Sequence, residues 1–125
     1  YAVLAAIDLN KGDIAWRVPL GEGSQTVRNH PLLAGAALPD RLGSPGNLGG
    51  AMTTQGGLVF AGGGDGYLYA FDVRTGRELW RGQVPYLVTA NPMTYRTKSG
   101  RQFVVMATGT GDQNALVAFA LPDHN

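Results

Sequence analysis

No cysteine occurs in this chain, which excludes disulfides and all thiolate chemistry, nucleophilic or metal-binding. Histidine is almost as scarce. His30 and His124 lie far apart with no His-x-x-x-His or other zinc spacing, so each reads as a solvated loop side chain and no metal ligand is assigned. An excess of one charge is also missing: the formal net charge is +1, so bulk charge points to neither nucleic acid nor a membrane surface. The nearest thing to a basic cluster, Arg74, Arg77 and Arg81, reads as a solvated strand-and-turn face. No apolar run is long enough for a transmembrane helix, and no signal-peptide pattern is visible. Helical periodicity is absent throughout. The opening YAVLAAIDL reads as the middle of a strand, so the expectation is a fragment of a longer protein, in which a missing targeting signal carries no information.

What is plentiful is glycine. Nineteen of 125 residues are Gly, about twice the usual share of roughly 7%. With 44% hydrophobic residues the chain is globular rather than disordered, and many glycines favour tight turns and short strands over helices.

The glycines belong to a repeat. Ala6, Asp8, Gly12 and Trp16 recur as Ala70, Asp72, Gly76 and Trp80, in the frame A-x-D-x-x-x-G-x-x-x-W. A degraded third copy, Leu116 to Ala120, keeps the Ala118-Phe119 pair but has Ala120 in place of the Asp and no Trp after it. The interval between the first two copies is the longer one, which places an insertion at residues 21–47, GEGSQTVRNHPLLAGAALPDRLGSPGN.

Within one copy the physics is that of a hairpin. Tyr67, Tyr69 and Phe71 alternate with Leu68, Ala70 and Asp72, a period of two. Asp72 is placed to accept backbone N–H groups in the following turn, and Gly76 to take a positive φ at its end. Upstream, Leu58 to Ala61 is a short apolar run between glycine clusters, suited to a strand buried on both faces, and Asp65-Gly66 makes a tight turn after it. Residues 51–83 therefore read as four consecutive antiparallel strands. Three more are expected at Pro92–Tyr95, Gln102–Ala107 and Ala115–Ala120. Repeated four-stranded units signal a β-propeller. The expected fold is all-β, with about two antiparallel four-stranded blades: residues 1–20 end one blade, 21–47 form an inter-blade insertion, 48–84 a complete blade and 85–125 a partial one.

The repeated frame resembles the tryptophan-docking motif of the pyrroloquinoline quinone (PQQ) dehydrogenases, in which Trp packs between neighbouring blades of an eight-bladed propeller. Asn47-Leu48-Gly49-Gly50, Gln55 to Phe60, Thr89-Ala90-Asn91-Pro92-Met93-Thr94-Tyr95, Gly100 to Val105 and Ala118 to Pro122 follow in an order similar to the C-terminal end of the glucose/quinate-type, membrane-associated branch. The resemblance implies part of an enzyme that oxidises an alcohol or sugar hydroxyl and passes two electrons through PQQ to a quinone. It further implies a bacterial, periplasmic, inner-membrane-associated parent with Ca²⁺ or a similar ion beside PQQ. The ion's ligands and the general-base Asp of that family lie upstream of the matched segment, so no catalytic residue is assigned here. Alone, the fragment is expected to be inactive, to hold no cofactor and to self-associate through its open flanks. The alternative is a non-enzymatic propeller, such as an outer-membrane assembly lipoprotein with similar Trp repeats.

Four residues are carried over as cofactor-binding: Asn47, Leu48, Gly49 and Gly50. An amide in a Gly-flanked loop can hydrogen-bond quinone or carboxylate oxygens, and the glycines permit close approach. An Asn in a turn before a strand accounts for the same letters. The other candidates read as structure. Asp8 and Asp72 repeat, as turn-cappers do, and Trp16 and Trp80 repeat, as packing residues do. Gly62 to Gly66 lacks the spacing, the following helix and the Lys-Ser/Thr pair of a phosphate loop. Asp112 sits in a polar loop that needs no cleft to explain it. Thr110 stands where relatives often carry the His of a Gly-Gly-His-Gly stretch, so that histidine's role is lost or altered.

Overall fold

A computed structural model describes residues 1–46 and 49–123. Among the described residues nine strands follow one another: β1 (Val3–Asp8), β2 (Asp13–Pro19), β3 (Ala51–Thr53), β4 (Leu58–Gly62), β5 (Tyr67–Asp72), β6 (Glu78–Gln83), β7 (Met93–Arg96), β8 (Gln102–Thr110) and β9 (Gln113–Ala120). They form three antiparallel sheets in which every strand pairs with its chain neighbour: β1-β2, β3-β4-β5-β6 and β7-β8-β9. The four strands expected over 51–83 are present. The last two strands run further than expected, β8 and β9 extending toward each other through residues 107–114.

The two sequence copies fold alike. Asp8 Oδ1 accepts the N–H groups of Asn10 and Lys11 at 3.0 and 3.3 Å, and Gly12 closes the turn at φ +74°. Asp72 Oδ1 accepts those of Arg74 and Thr75 at 2.8 and 3.2 Å, and Gly76 closes its turn at φ +71°. A register shift follows in both, between Ala6 and Ile7 and between Ala70 and Phe71, and it sets Trp16 opposite Ala6 and Trp80 opposite Ala70. These donated hydrogen bonds, Arg74's first, hold the Asp72 carboxyl below the usual carboxylate range.

The central sheet is covered on both faces, which explains why β4 and β5 lack polar alternation. Phe60, Leu68 and Ala70 face one way and pack with Val84, Val88 and Met106, flanked by Val104, Val117 and Phe119 of the third sheet. Val59, Ala61, Tyr69 and Phe71 face the other way and pack with Leu20, flanked by Leu4 and Val18 of the first. Leu68, Tyr69 and Phe71 are wholly buried, each stabilising by roughly 1.5–3 kcal/mol relative to exposure.

The two tryptophans link neighbouring sheets. Trp16 Nε1 donates to the Val73 carbonyl at 2.9 Å, and its ring lies on Gly76, where a Cβ would come within 2.5 Å of Cε3. Trp80 meets Phe119 of β9 edge to face, with centroids 5.1 Å apart. The outer faces of the flanking sheets leave Val3, Ile7, Ile14, Met93, Tyr95 and Leu116 exposed.

The fold is nearly all-β; the insertion adds one α-turn, Gln25–Arg28, and one 3-10 turn, Pro31–Leu33. Both are too short for a hydrophobic period and depend on caps instead. Ser24 accepts from the Val27 N–H, and His30 Nδ1 from the Leu32 N–H. His30 is thus a solvated capping residue. Arg28 Nη2 then draws the insertion together by donating to the carbonyls of Glu22, Pro39 and Asp40 at 2.5, 3.3 and 2.6 Å. Among the described residues no helix is long and apolar enough to cross a membrane.

Candidate functional site

Antiparallel order brings the turn 63–66, the loop 84–92, the turn 111–112 and the approach to β3 to one end of the sheets. An open cleft of about 460 Å³ lies there. Tyr86, Leu87 and Val88 supply its apolar wall, Thr89, Thr110 and Gln113 its hydroxyl and amide groups, and Gly46 and Asp65 its other side. Thr110 therefore lines the cleft, whereas Asp112 is exposed and does not.

The loop 84–92 is fixed to β8. Val88 bridges Thr108, the Thr89 N–H donates to the Ala107 carbonyl at 3.2 Å, and the Gly109 N–H donates to Leu87 at 2.8 Å. Thr89 Oγ1 adds a bond to the Gly109 carbonyl at 3.0 Å. Against this loop sit two of the four residues expected to bind cofactor. Gly49 packs so closely that a Cβ would lie 3.1 Å from the Ala90 carbonyl oxygen. Gly50 donates its N–H to Asn91 Oδ1 at 2.7 Å. The other two, Asn47 and Leu48, lie outside the described residues, as does His124.

Asp65, which the sequence suggests only as a turn residue, is the centre of a polar network. Its Oδ1 accepts the Tyr67 N–H at 3.2 Å, and its Oδ2 accepts the Tyr69 hydroxyl at 2.6 Å and the Glu22 N–H at 2.8 Å. Burial, and then this carboxylate, push the Tyr69 hydroxyl far above the usual tyrosine range. Arg81 Nε and Nη2 donate to Glu78 at 2.7 and 3.1 Å, Nη1 to Glu22 at 2.7 Å, and its guanidinium lies 5.1 Å from the Tyr69 ring. The Glu78 hydrogen bond, outweighing burial, raises Arg81 further, so it stays charged. Arg41 reaches Glu78 at 3.0 Å from the insertion. A side chain that stays protonated and one that stays charged do not move protons near neutrality. This network attaches the insertion to the central sheet. Its partners are 43 and 59 residues apart in the chain, and no local spacing could reveal them.

What the end of the molecule offers is a cleft within the size range of small-molecule sites, with an apolar wall and hydroxyl donors. That suits one face of a planar quinone cofactor with a polar rim. It does not suit the cation expected beside it: among the described residues no three His, Asp or Glu side chains converge to hold a metal ion.

Comparison with known proteins agrees along the chain. The family model described as "PQQ: Glucose/ethanol/alcohol dehydrogenase, beta-propeller domain" matches residues 1–104. A protein named "Probable quinate dehydrogenase (quinone)" from Xanthomonas campestris pv. juglandis is 44% identical over 98% of the chain, which spans 16% of that relative. The quinate/shikimate dehydrogenase (quinone) of Acinetobacter baylyi is 38% identical over 99% of the chain and 14% of its own length. Among solved structures, the quinohemoprotein alcohol dehydrogenase of Comamonas testosteroni superposes with a TM-score of 0.62 and 32% identity, over 86% of this chain and 12% of that one.

Proposed function

Since the chain belongs to the β-propeller family of PQQ-dependent dehydrogenases, we propose that it is the C-terminal part of a larger dehydrogenase that oxidises an alcohol or sugar hydroxyl and delivers the electrons to a quinone. The observation that carries this is the near end-to-end match to quinone-linked dehydrogenases. Bound in such an enzyme, PQQ supplies the two-electron acceptor. The contribution of this chain is confined to one border of its pocket, assigned to Asn47, Leu48, Gly49 and Gly50 on the family resemblance, with the cleft walls of loop 84–92 beside Gly49 and Gly50. The catalytic base and the ligands for Ca²⁺ or a similar ion come from blades supplied by the rest of the parent.

In this reading residues 1–20, 48–84 and 85–125 are one partial, one complete and one incomplete blade of an eight-bladed ring, residues 21–47 are an inter-blade insertion, and Trp16 and Trp80 are its docking tryptophans. The parent is bacterial, periplasmic and associated with the inner membrane. The exposed apolar faces around Ile7 and Ile14 and around Met93 and Leu116 are those that the remaining blades cover; the isolated chain covers them by self-association, and a monodisperse monomer in sedimentation at high micromolar concentration argues against that. The test of function is reconstitution of the full-length protein with PQQ and Ca²⁺, followed by dye reduction with polyols, sugars and cyclic hydroxy acids. PQQ-dependent reduction supports the proposal; none with any of these substrates leaves the family fold serving as a scaffold and refutes it.

A further inference from the structure

We infer that Asn91 is a positioning residue for the cofactor-binding stretch, holding Gly49–Gly50 against the loop of the following blade so that the pocket border keeps one shape. The inference rests on the proposal that residues 47–50 border PQQ, and it adds a residue from outside that stretch.

The geometry is mutual. Asn91 Oδ1 accepts the Gly50 N–H at 2.7 Å, a side-chain bond across 41 residues of sequence. The Asn91 amide also fills the space a side chain at residue 50 would need, because a Cβ built on Gly50 runs into Oδ1 and Cγ. Only glycine at 50 lets this amide come so close. Gly49 is packed less tightly, a Cβ there lying 3.1 Å from the Ala90 carbonyl oxygen and 3.5 Å from the Val88 Cγ1. A donor–acceptor pair that replaces a side-chain contact fixes distance and direction together, whereas packing alone leaves a glycine pair many φ/ψ choices.

The anchor beneath Asn91 is stiff. Pro92 follows it and is buried, fixing the chain as it enters β7. Val88, Thr89 and Leu87 are joined to β8 by three hydrogen bonds, two of which make the bridge of Val88 to Thr108, and Val88 is part of the apolar core between the second and third sheets. Rigidity therefore passes from core to loop to Asn91 and on to Gly50. The same loop residues, Leu87, Val88 and Thr89, form a wall of the cleft, so one element sets both the wall and the border. Asn91 itself is exposed, and removing its amide opens no cavity in the core.

The experiment uses the full-length protein with Asn91→Ala, Asn91→Asp and the parent side chain. Two quantities are measured: hydrogen exchange of the residue 50 amide in the apo form, and the dissociation constant of PQQ by titration. The expected result for Asn91→Ala is faster exchange at residue 50, unchanged exchange in β4 and β5, and PQQ affinity weaker by about fivefold, the size of one lost hydrogen bond. Asn91→Asp keeps an acceptor oxygen and restores the protection of the amide. Unchanged exchange at residue 50 in Asn91→Ala overturns the positioning role. Faster exchange with unchanged PQQ affinity refutes instead the placement of residues 47–50 at the cofactor, and the inference falls with it. Faster exchange throughout β4 and β5 also overturns it, since Asn91 would then support the blade as a whole.

Discussion

Replacing Gly76 by Ala tests the interlock between the first two sheets, because the chain contains its own control. Gly12 and Gly76 occupy the same turn position with φ of +74° and +71°. An Ala at either place is held in the left-handed region, at a cost of about 1 kcal/mol. The surroundings differ. Nothing lies within 4 Å of a Cβ at residue 12, whereas a Cβ at residue 76 meets Trp16 Cε3 and Cδ2 at 2.5 and 2.7 Å. Trp16 cannot retreat and still donate to the Val73 carbonyl. Overpacking of this kind costs about 1–3 kcal/mol more. Gly76→Ala is therefore expected to lower stability by about 2–4 kcal/mol and Gly12→Ala by about 1 kcal/mol, measured as the shift in urea midpoint at unchanged slope. Combining Gly76→Ala with Trp16→Leu should recover most of the excess, since neighbours that clash are not additive. Equal losses for the two single variants would refute the reasoning, because backbone strain alone would then explain both.

Three further outcomes are expected. Trp16→Phe keeps most of the ring contact but leaves the Val73 carbonyl without its indole donor, and should cost about 1–2 kcal/mol in the same assay. Asp72 has a depressed folded-state pKa, so its contribution is present above the unfolded value of about 4 and fades as pH falls through the folded value; the stability difference between the parent chain and Asp72→Asn should hold from pH 7 down to about 5 and shrink toward pH 3, and a difference that grows on acidification argues against the Asp72 turn bonds. Tyr69 is raised, so its contribution is complete below the ordinary tyrosine value of about 10 and is lost progressively as pH rises from there through the folded value; Tyr69→Phe should therefore leave the folded chain's alkaline phenolate absorbance step unchanged, and a step smaller by one tyrosine contradicts the buried bond to Asp65.

The repeat made much of the fold readable. Asp8 and Asp72 announce identical turns because a capping carboxylate and a positive-φ glycine act within five residues, and local chemistry of that kind survives any tertiary context. The four strands of the central sheet were legible for a similar reason: a chain-neighbour meander needs no long-range choice of partner. The insertion was not. Its two helical turns are built from caps at Ser24 and His30, too brief to leave a period, and Arg28 satisfies backbone carbonyls that no spacing predicts. Of the candidate site, the glycines were legible as a loop before a strand; the groups that hold Gly49 and Gly50, Asn91 above all, come from the loop before β7 and were not. Asn91 lies in Thr89 to Tyr95, a stretch that carries the family resemblance by its order and whose individual side chains give no sign of a role. The Asp65–Tyr69–Arg81–Glu22 network was invisible because the alternating strand pattern explained each aromatic residue without it.

The central claim is that this chain contributes architecture almost everywhere and meets the cofactor along one border only, at residues 47–50 and the cleft beside Gly49 and Gly50. A crystal structure of the full-length protein with PQQ bound measures this directly. The account predicts the Gly49–Gly50 backbone within van der Waals contact of the cofactor, Asn91 still bonded to Gly50, and Asp8, Asp72, Trp16 and Trp80 all remote from it. PQQ seated beyond contact of residues 47–50, or resting on one of the two tryptophans, would contradict it.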